Sequence, residues 1–183
     1  MKWHSLCKQR TNCFGFSREE AGKEKIIQAI DALHKYMPSQ NEKMPFQIDY
    51  INFNNKSLRQ KIFDLTWTPE EAGNTQPNPQ TLAPELLILS TRIEQTELEL
   101  GMAAMFLAYQ LTSMGLSYGF CACFDKQEIE SLLNKPVRLI IGVGYSSGDT
   151  YINPFTNEIC KTPFRRYKKS RPKQHEYTGG LYA

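Results

Sequence analysis

Apolar and polar positions divide the first third of the chain into a helix, a strand and a second helix. The segment from Ser17 to Glu20 has the Ser-x-x-Glu form of a helix start, and apolar residues recur at helical spacing from Ile26 to Leu33. This helix should end before Pro38, because the residue preceding a proline resists the α region. Phe46 to Phe53 begins with alternating apolar and polar residues, which indicates a strand with one buried face. Residues 55–65 place apolar side chains on one face of the second predicted helix.

The middle of the chain predicts three strands and a short helix. Residues 66–83 contain a glycine and three prolines among polar residues, which favours a long loop, and such loops inside compact domains are usually functional or mobile. Glu85 to Ser90 is expected to form a short buried strand. Ser117 to Phe124 and Val137 to Val143 are predicted as further strands, with Asp125 between them capping a short helix. Helices and strands in this order indicate an α+β domain.

The longest predicted helix runs from Glu94 to Met114. From Leu98 onward it is apolar on almost every face, and a helix of that kind must be buried. A single chain of 183 residues would have difficulty burying every face of this helix, so we expect a partner chain to cover part of it. A central helix wrapped by its own sheet is the alternative.

Composition is that of a single globular domain, residues 1–183, with 40% hydrophobic and 22% charged residues. No apolar run reaches the roughly 18 residues that a membrane span needs. Met1 to Arg10 contains no apolar stretch of the secretory type, so we expect a cytoplasmic protein without a membrane partner. The three histidines are scattered and the five cysteines form no CxxC pair, so we expect buried thiols and no metal site.

Beyond Tyr145 the chain is predicted to be loop and tail, with an uneven charge. Residues 161–183 carry seven basic residues and one acid, Glu176, and they form a basic C-terminal extension. The net charge of the whole chain is +3, so residues 1–160 are acidic overall. A basic tail interleaved with aromatic residues could also hold phosphates and stack bases, but the acidic body makes nucleic acid a less favoured partner.

No catalytic constellation is evident. The sequence contains no GxSxG, GxGxxG or P-loop pattern, and its carboxylate pairs fall on stretches expected to be solvated. Gly142-Val143-Gly144 lacks a third glycine and a following helix, which is typical of a strand end. Any chemistry would therefore come from a bound cofactor rather than from a catalytic residue of the chain.

Two early segments carry a family resemblance. Gln9 to Cys13 reads Gln-Arg-Thr-Asn-Cys and resembles the opening Arg-Ser-x-Arg of FMN-dependent nitroreductases, where the chain grips the flavin phosphate. Cys13 stands where the second arginine is expected. Pro38 to Phe46 resembles the family stretch Pro-Ser-x-x-Asn-x-Gln-Pro-Trp, which lines the flavin of the facing subunit, with Glu42 replacing the Asn and Met44 the Gln.

Two later segments extend the resemblance to most of the chain. Glu99 to Ala108, followed by Met114 to Ser117, is similar to the long central helix through which family members dimerise. The strand after it resembles the one whose backbone passes near the flavin ring. Lys168 to Pro172 resembles the C-terminal Lys-x-Arg that closes over the FMN phosphate.

The resemblance implies a nitroreductase-like fold with a mixed central sheet flanked by helices, a long helix at a homodimer interface, and bound FMN. The implied function is an oxidoreductase that passes a hydride from NADH or NADPH to a nitroaromatic, quinone or similar small-molecule acceptor. Because the phosphate segment and the Pro-Ser loop are altered, a flavin- or ligand-binding protein without redox turnover is the alternative. The resemblance implies these cofactor-binding residues: Arg10, Thr11, Asn12, Pro38, Ser39, Gln40, Glu42, Phe120, Cys121, Lys169 and Arg171.

Overall fold

A four-stranded antiparallel sheet organises the fold, and its strands follow the order β1-β4-β6-β5. The computed structural model of the 183-residue chain describes residues 3–9, 12–38, 44–69, 75–91, 93 and 97–162. The strands are β1 (Gln47–Ile51), β2 (Trp67–Pro69), β3 (Thr75–Pro77), β4 (Glu85–Ser90), β5 (Ser117–Cys121), β6 (Val137–Gly144), β7 (Thr150–Ile152) and β8 (Ile159–Lys161). The helices are α1 (Trp3–Gln9), α2 (Lys23–Tyr36), α3 (Lys56–Asp64), α4 (Glu97–Ser113) and α5 (Lys126–Leu133).

Helices cover both faces of this sheet. Successive residues of a strand point to opposite faces, so Leu87 and Leu89 pack with α2 and α4, while Leu86 and Ile88 pack with α3 and α5. Because β4 lies between two strands and under helices on both faces, all six of its residues are buried. This arrangement confirms the predicted α+β class. We expected a mixed sheet, but its four strands pair antiparallel, and the parallel pairing among the described residues is a single bridge between Asn12 and Tyr118 at the β5 edge.

Helix α4 is buried on one side only. Leu100, Ala103 and Leu107 lie in the core against the sheet and α2, as the apolar pattern predicted. Leu98 and Met102, in contrast, are 74% and 37% exposed. The described part of the chain therefore does not cover this helix completely. Within the described residues no helix is both long and apolar enough to cross a membrane.

Helix α2 begins later than its sequence signal suggests. The Ser17 hydroxyl oxygen accepts a hydrogen bond from the Glu19 amide (3.3 Å), which forms a local turn instead of a cap. The helix starts at Lys23, after Gly22 with φ +88°. The carboxylate of Glu85, on β4, accepts hydrogen bonds from the Ala21 amide (2.9 Å) and the Gly22 amide (3.3 Å). A residue distant in sequence thus binds the two amides that precede the helix.

Within the predicted loop 66–83, the described residues 66–69 and 75–83 contain regular structure. Strands β2 and β3 pair as an antiparallel hairpin, and Pro79–Leu82 forms a 3₁₀ turn. The Asn78 side chain caps this turn by accepting a hydrogen bond from the Gln80 amide (3.0 Å). An Asn followed by a Pro is typical of the start of a helical turn, because the Asn side chain caps the turn and the Pro fits its first position. This pattern predicts local helical structure even in a proline-rich segment.

The chain beyond Tyr145 is also not simply loop. Strands β7 and β8 pair as an antiparallel hairpin, with Tyr151 opposite Cys160. The three residues of each strand are too few to give a clear alternation in the sequence. Residues 163–183, which include most of the predicted basic extension, lie outside the described residues.

A buried arginine holds the 3₁₀ turn against the sheet. Arg59 of α3 is 0% exposed, and its Nη2 donates to the carbonyl oxygens of Thr81 (2.8 Å) and Ala83. Its Nη1 donates to the carbonyl oxygens of Ile51 (3.2 Å) and Pro84 (3.4 Å). Burial lowers the pKa of Arg59 to about 9, so the guanidinium remains charged at neutral pH.

Candidate functional site

The N-terminal segment partly covers the outer edge of β5. An edge strand presents amide and carbonyl groups that need partners. The Cys13 amide donates to the Tyr118 carbonyl oxygen (2.7 Å), and the Phe120 amide donates to the Asn12 side-chain oxygen (2.9 Å). Asn12 and Phe120, which were both predicted to bind flavin, are therefore in direct contact although they are far apart in the sequence.

Cys13 faces inward. Its side chain is 7% exposed, and the thiol donates to the Gly15 carbonyl oxygen (3.0 Å). Burial raises the pKa of the Cys13 thiol above its ordinary value, so the group is neutral at pH 7. Where the family resemblance places an arginine, this chain has a buried, uncharged side chain.

Phe120 and Cys121 point to opposite faces of the sheet, as neighbours on a strand must. The half-buried Phe120 ring packs beside Tyr118, with ring centroids 4.9 Å apart. Cys121 is buried among the apolar residues under α3 and α5, and burial raises the pKa of its thiol to about 12. Phe120 lies at the edge of the sheet, whereas the Cys121 thiol is enclosed in the core.

Gln80 is a site residue that the sequence reading missed. Its side-chain amide donates to the Cys13 carbonyl oxygen (3.2 Å), which ties the 3₁₀ turn to the N-terminal segment. Gly119 and Gly142, which pair across β5 and β6, provide the space for it. A Cβ at Gly119 would lie 2.4 Å from the Cys13 oxygen, and a Cβ at Gly142 would lie 2.0 Å from the Gln80 carbonyl oxygen. In the sequence, a glycine within each of two predicted strands, Gly119 and Gly142, was the feature that could have indicated that other backbone segments pack closely against these strands.

The described residues that follow the Pro-Ser loop, Met44 to Phe46, lie at the other edge of the sheet. Pro38 is exposed just after α2, and the segment resumes at Met44, immediately before the edge strand β1. The Thr91 hydroxyl donates to the Pro45 carbonyl oxygen (2.6 Å) and holds the segment at the end of β4. Since β1 and β5 are the outer strands, three strand spacings, or about 14 Å, separate these two strands, and Asn12 lies beyond the outer edge of β5.

All four charged residues predicted for the site, Arg10, Glu42, Lys169 and Arg171, lie outside the described residues. Convergence of the two chain ends on one phosphate therefore stays a prediction. The predicted site residues outside the described ranges are Arg10, Thr11, Ser39, Gln40, Glu42, Lys169 and Arg171.

The described residues fit part of an FMN molecule. FMN joins a planar ring that bears hydrogen-bonding groups to a dianionic phosphate. Asn12 and the β5 backbone form an exposed polar edge beside the Phe120 ring, which suits the planar part. Asn12, Cys13 and Phe120 bring no charge, so a phosphate would depend on Arg10, Lys169 and Arg171.

This chain is an α+β protein with the nitroreductase fold, as comparisons with solved structures show. A nitroreductase family protein from Clostridium novyi NT has a TM-score of 0.67 at 15% identity, over 81% of this chain and 87% of that chain. The FMN-dependent nitroreductase NfnB from Mycobacterium smegmatis, solved with NADPH, has a TM-score of 0.63 at 17% identity, over 79% of this chain and 87% of that chain. An FMN-dependent nitroreductase from Clostridium difficile R20291 has a TM-score of 0.63 at 17% identity, over 78% and 86%.

These structures confirm the fold expected from the sequence resemblance. No protein-family model matches the chain, and no curated protein matches it in sequence. The likeness is therefore one of backbone architecture, at identities below 20%.

Proposed function

We propose that this chain is a subunit of an FMN-dependent oxidoreductase that uses NADH or NADPH and reduces nitroaromatics, quinones or similar small molecules. The observation that carries the proposal is the contact between Asn12 and Phe120 on the edge of β5, within a nitroreductase fold. Similar structures include FMN-dependent nitroreductases and one solved with NADPH. Bound FMN would supply the hydride chemistry, which agrees with the lack of a recognisable acid–base constellation in the sequence.

The chain's own residues would bind and orient the flavin. The Asn12 side chain fixes the β5 edge by accepting the Phe120 amide, and the half-buried Phe120 ring offers an apolar surface beside it. Arg10, Lys169 and Arg171 would hold the phosphate, because guanidinium and ammonium groups donate to its oxygens. With Cys13 buried and neutral, the phosphate would have one cation fewer than the family pattern provides.

We further propose that the active unit is a homodimer. Met44 to Phe46, which lead into β1, and Asn12, which lies beyond β5, are at opposite edges of one sheet and more than about 14 Å apart. In the family that the sequence resembles, the Pro-Ser segment lines the flavin of the facing subunit, so this segment would come from a second chain. Leu98 and Met102 on α4 offer an exposed apolar surface for that chain to cover.

A second function, binding of flavin without turnover, is favoured by Cys13. Losing a phosphate-binding cation lowers affinity, and a charge-assisted hydrogen bond is worth about 1.5–3 kcal/mol. A protein with that change could hold flavin weakly or hold a ligand without a phosphate. Titrating the protein with riboflavin as well as FMN shows whether the phosphate contributes to binding, because only FMN carries a phosphate that the remaining cations can bind.

The decisive experiment is to purify the full chain and record its visible spectrum before and after adding FMN. We expect flavin absorbance with FMN bound, followed by NADH or NADPH oxidation when 1,4-benzoquinone is supplied. FMN binding without oxidation would support the non-redox alternative. A colourless protein that does not quench FMN fluorescence would overturn both flavin readings and leave the fold without this function.

A further inference from the structure

A cavity lies away from the β5 edge. It has a volume of about 680 Å³ and lies between the N-terminal segment, the start of α3 and the β7–β8 hairpin. This volume is within the range of roughly 300–1,000 Å³ that small-molecule sites occupy. Asn12, Phe120 and Gln80 are not among its lining residues, so it is separate from the proposed flavin position.

Aromatic rings form one wall of the cavity. Phe53 and Phe155 both line it, with ring centroids 5.6 Å apart. The buried guanidinium of Arg59 lies 4.5 Å from the centroid of Phe53, and Phe63 lies 6.0 Å from Phe155. Packing from behind therefore fixes both rings, and the half-buried surfaces that remain suit a flat apolar ligand.

Hydrogen bonds fix the hairpin loop that carries Phe155. The Asn153 side chain accepts the Phe155 amide (2.9 Å), and the Asn153 amide donates to the Glu158 carbonyl oxygen (2.9 Å). Where the hairpin meets the N-terminal segment, the Ser147 amide donates to the Gly15 carbonyl oxygen (2.9 Å). The wall is thus formed by ordered backbone rather than by a free loop.

Charged side chains surround this aromatic wall. Arg18 and Lys56 contribute two positive charges, and Glu20 contributes one negative charge. Arg18 is held across the cavity mouth, because its guanidinium donates to the Asn157 side-chain oxygen (2.5 Å). The balance is positive, so the site combines an apolar wall with a cationic rim.

We infer that this cavity binds a small aromatic anion, such as an aryl carboxylate or sulfonate. The ring would lie against Phe53 and Phe155, and the anionic group would lie near Arg18 and Lys56. The Glu20 carboxylate would repel the anion, so removing its charge should raise the affinity, whereas removing the charge of Arg18 or Lys56 should lower it. The inference does not depend on the proposed flavin chemistry.

The probe for the test is 1-anilinonaphthalene-8-sulfonate, with uncharged N-phenyl-1-naphthylamine as its matched control. Fluorescence titration of the full chain should give saturable binding of the sulfonate. Lys56→Gln and Arg18→Gln should each weaken that binding about two- to five-fold, and Glu20→Gln should tighten it by a similar factor. Binding of the uncharged probe should be unchanged in these three variants. Phe155→Leu should weaken both probes.

Two controls place the probe in this cavity. Lys61→Gln removes an exposed cation from α3 outside the cavity lining and should leave both affinities unchanged. Backbone NMR spectra should show shifts at Ser57, Phe155 and Asn157 on adding the sulfonate. Equal losses in Lys61→Gln and Lys56→Gln, shifts confined to α4, or no saturable binding would each overturn the inference.

Discussion

The side-chain oxygen of Asn12 accepts the backbone amide of Phe120 at 2.9 Å, although 108 positions separate the two residues in the sequence. This bond closes the edge of the sheet at the place where the proposed flavin would lie. It also holds Asn12, the first described residue after α1, against that edge.

Replacing Asn12 should affect flavin binding more than stability. Asn12→Ala removes the acceptor, but Asn12 is exposed, so water can satisfy the Phe120 amide. We expect FMN affinity to fall about three- to ten-fold, with a melting temperature close to that of the unaltered protein. Fluorescence quenching of FMN measures the affinity, and the exposed turn residue Asn54 gives a control in Asn54→Ala. An unchanged affinity in Asn12→Ala would contradict a role for this edge.

Charging the exposed face of α4 should break the proposed dimer. Leu98→Glu combined with Met102→Glu places two carboxylates on that surface, and they would be costly to bury at a subunit boundary. Sedimentation analysis should show a monomer where the unaltered chain is a dimer. Ile159, which is 76% exposed on β8, offers a matched apolar position, and Ile159→Glu should leave the dimer intact. A dimer that survives the α4 changes would place the interface elsewhere.

A side chain at Gly142 should be strongly destabilising. Its Cβ would meet the Gln80 carbonyl oxygen at 2.0 Å, and that atom belongs to a turn held by Arg59 and so cannot move aside easily. We expect Gly142→Ala to cost more than about 2 kcal/mol of unfolding free energy, measured by urea denaturation. Gly101 on α4 has open space around its Cβ position, so Gly101→Ala should be neutral or stabilising by up to about 1 kcal/mol. Equal effects of the two substitutions would show that the 3₁₀ turn does not press on β6.

Glu85 should make stability depend on pH. Burial raises the pKa of this carboxyl, so the folded state takes up a proton more readily than the unfolded chain. The resulting stabilisation is present below the ordinary pKa of glutamate and is lost as pH rises through the raised value. Glu85→Gln keeps an uncharged acceptor for the Ala21 amide and removes this titration. Relative to the unaltered protein, the variant should therefore gain unfolding free energy as pH rises across that interval. A difference that stays flat with pH would contradict a raised pKa at Glu85.

Local patterns predicted several elements well. Glu85 to Ser90 was expected to form a buried strand and does. An uninterrupted apolar run is stable only where both faces of the strand are covered. Asp125 caps α5 by accepting the Glu128 amide (3.1 Å), as its sequence signal indicated. In both cases the determining interaction lies within one element or one turn of chain.

Predictions failed where a distant residue determined the local structure. The helix-start pattern at Ser17 did not begin α2. The Glu85 carboxylate instead accepts the Ala21 amide, and the helix begins at Lys23. Pro79–Leu82 formed a 3₁₀ turn where a loop was predicted, because Arg59 binds the carbonyl oxygens of Thr81 and Ala83. Neither partner can be read from spacing along the chain.

The sequence by itself determined the α+β class, the buried central strand and the apolar character of α4, because each depends on periodicity within a segment. It also suggested Asn12 and Phe120 through a family resemblance. Only the tertiary structure decided that these two residues touch, that Gln80 donates to Cys13 beside the paired glycines Gly119 and Gly142, and that Met44 to Phe46 lie at the opposite edge. Strand order is a property of the folded sheet, and it brings together groups that the linear chain keeps more than a hundred positions apart.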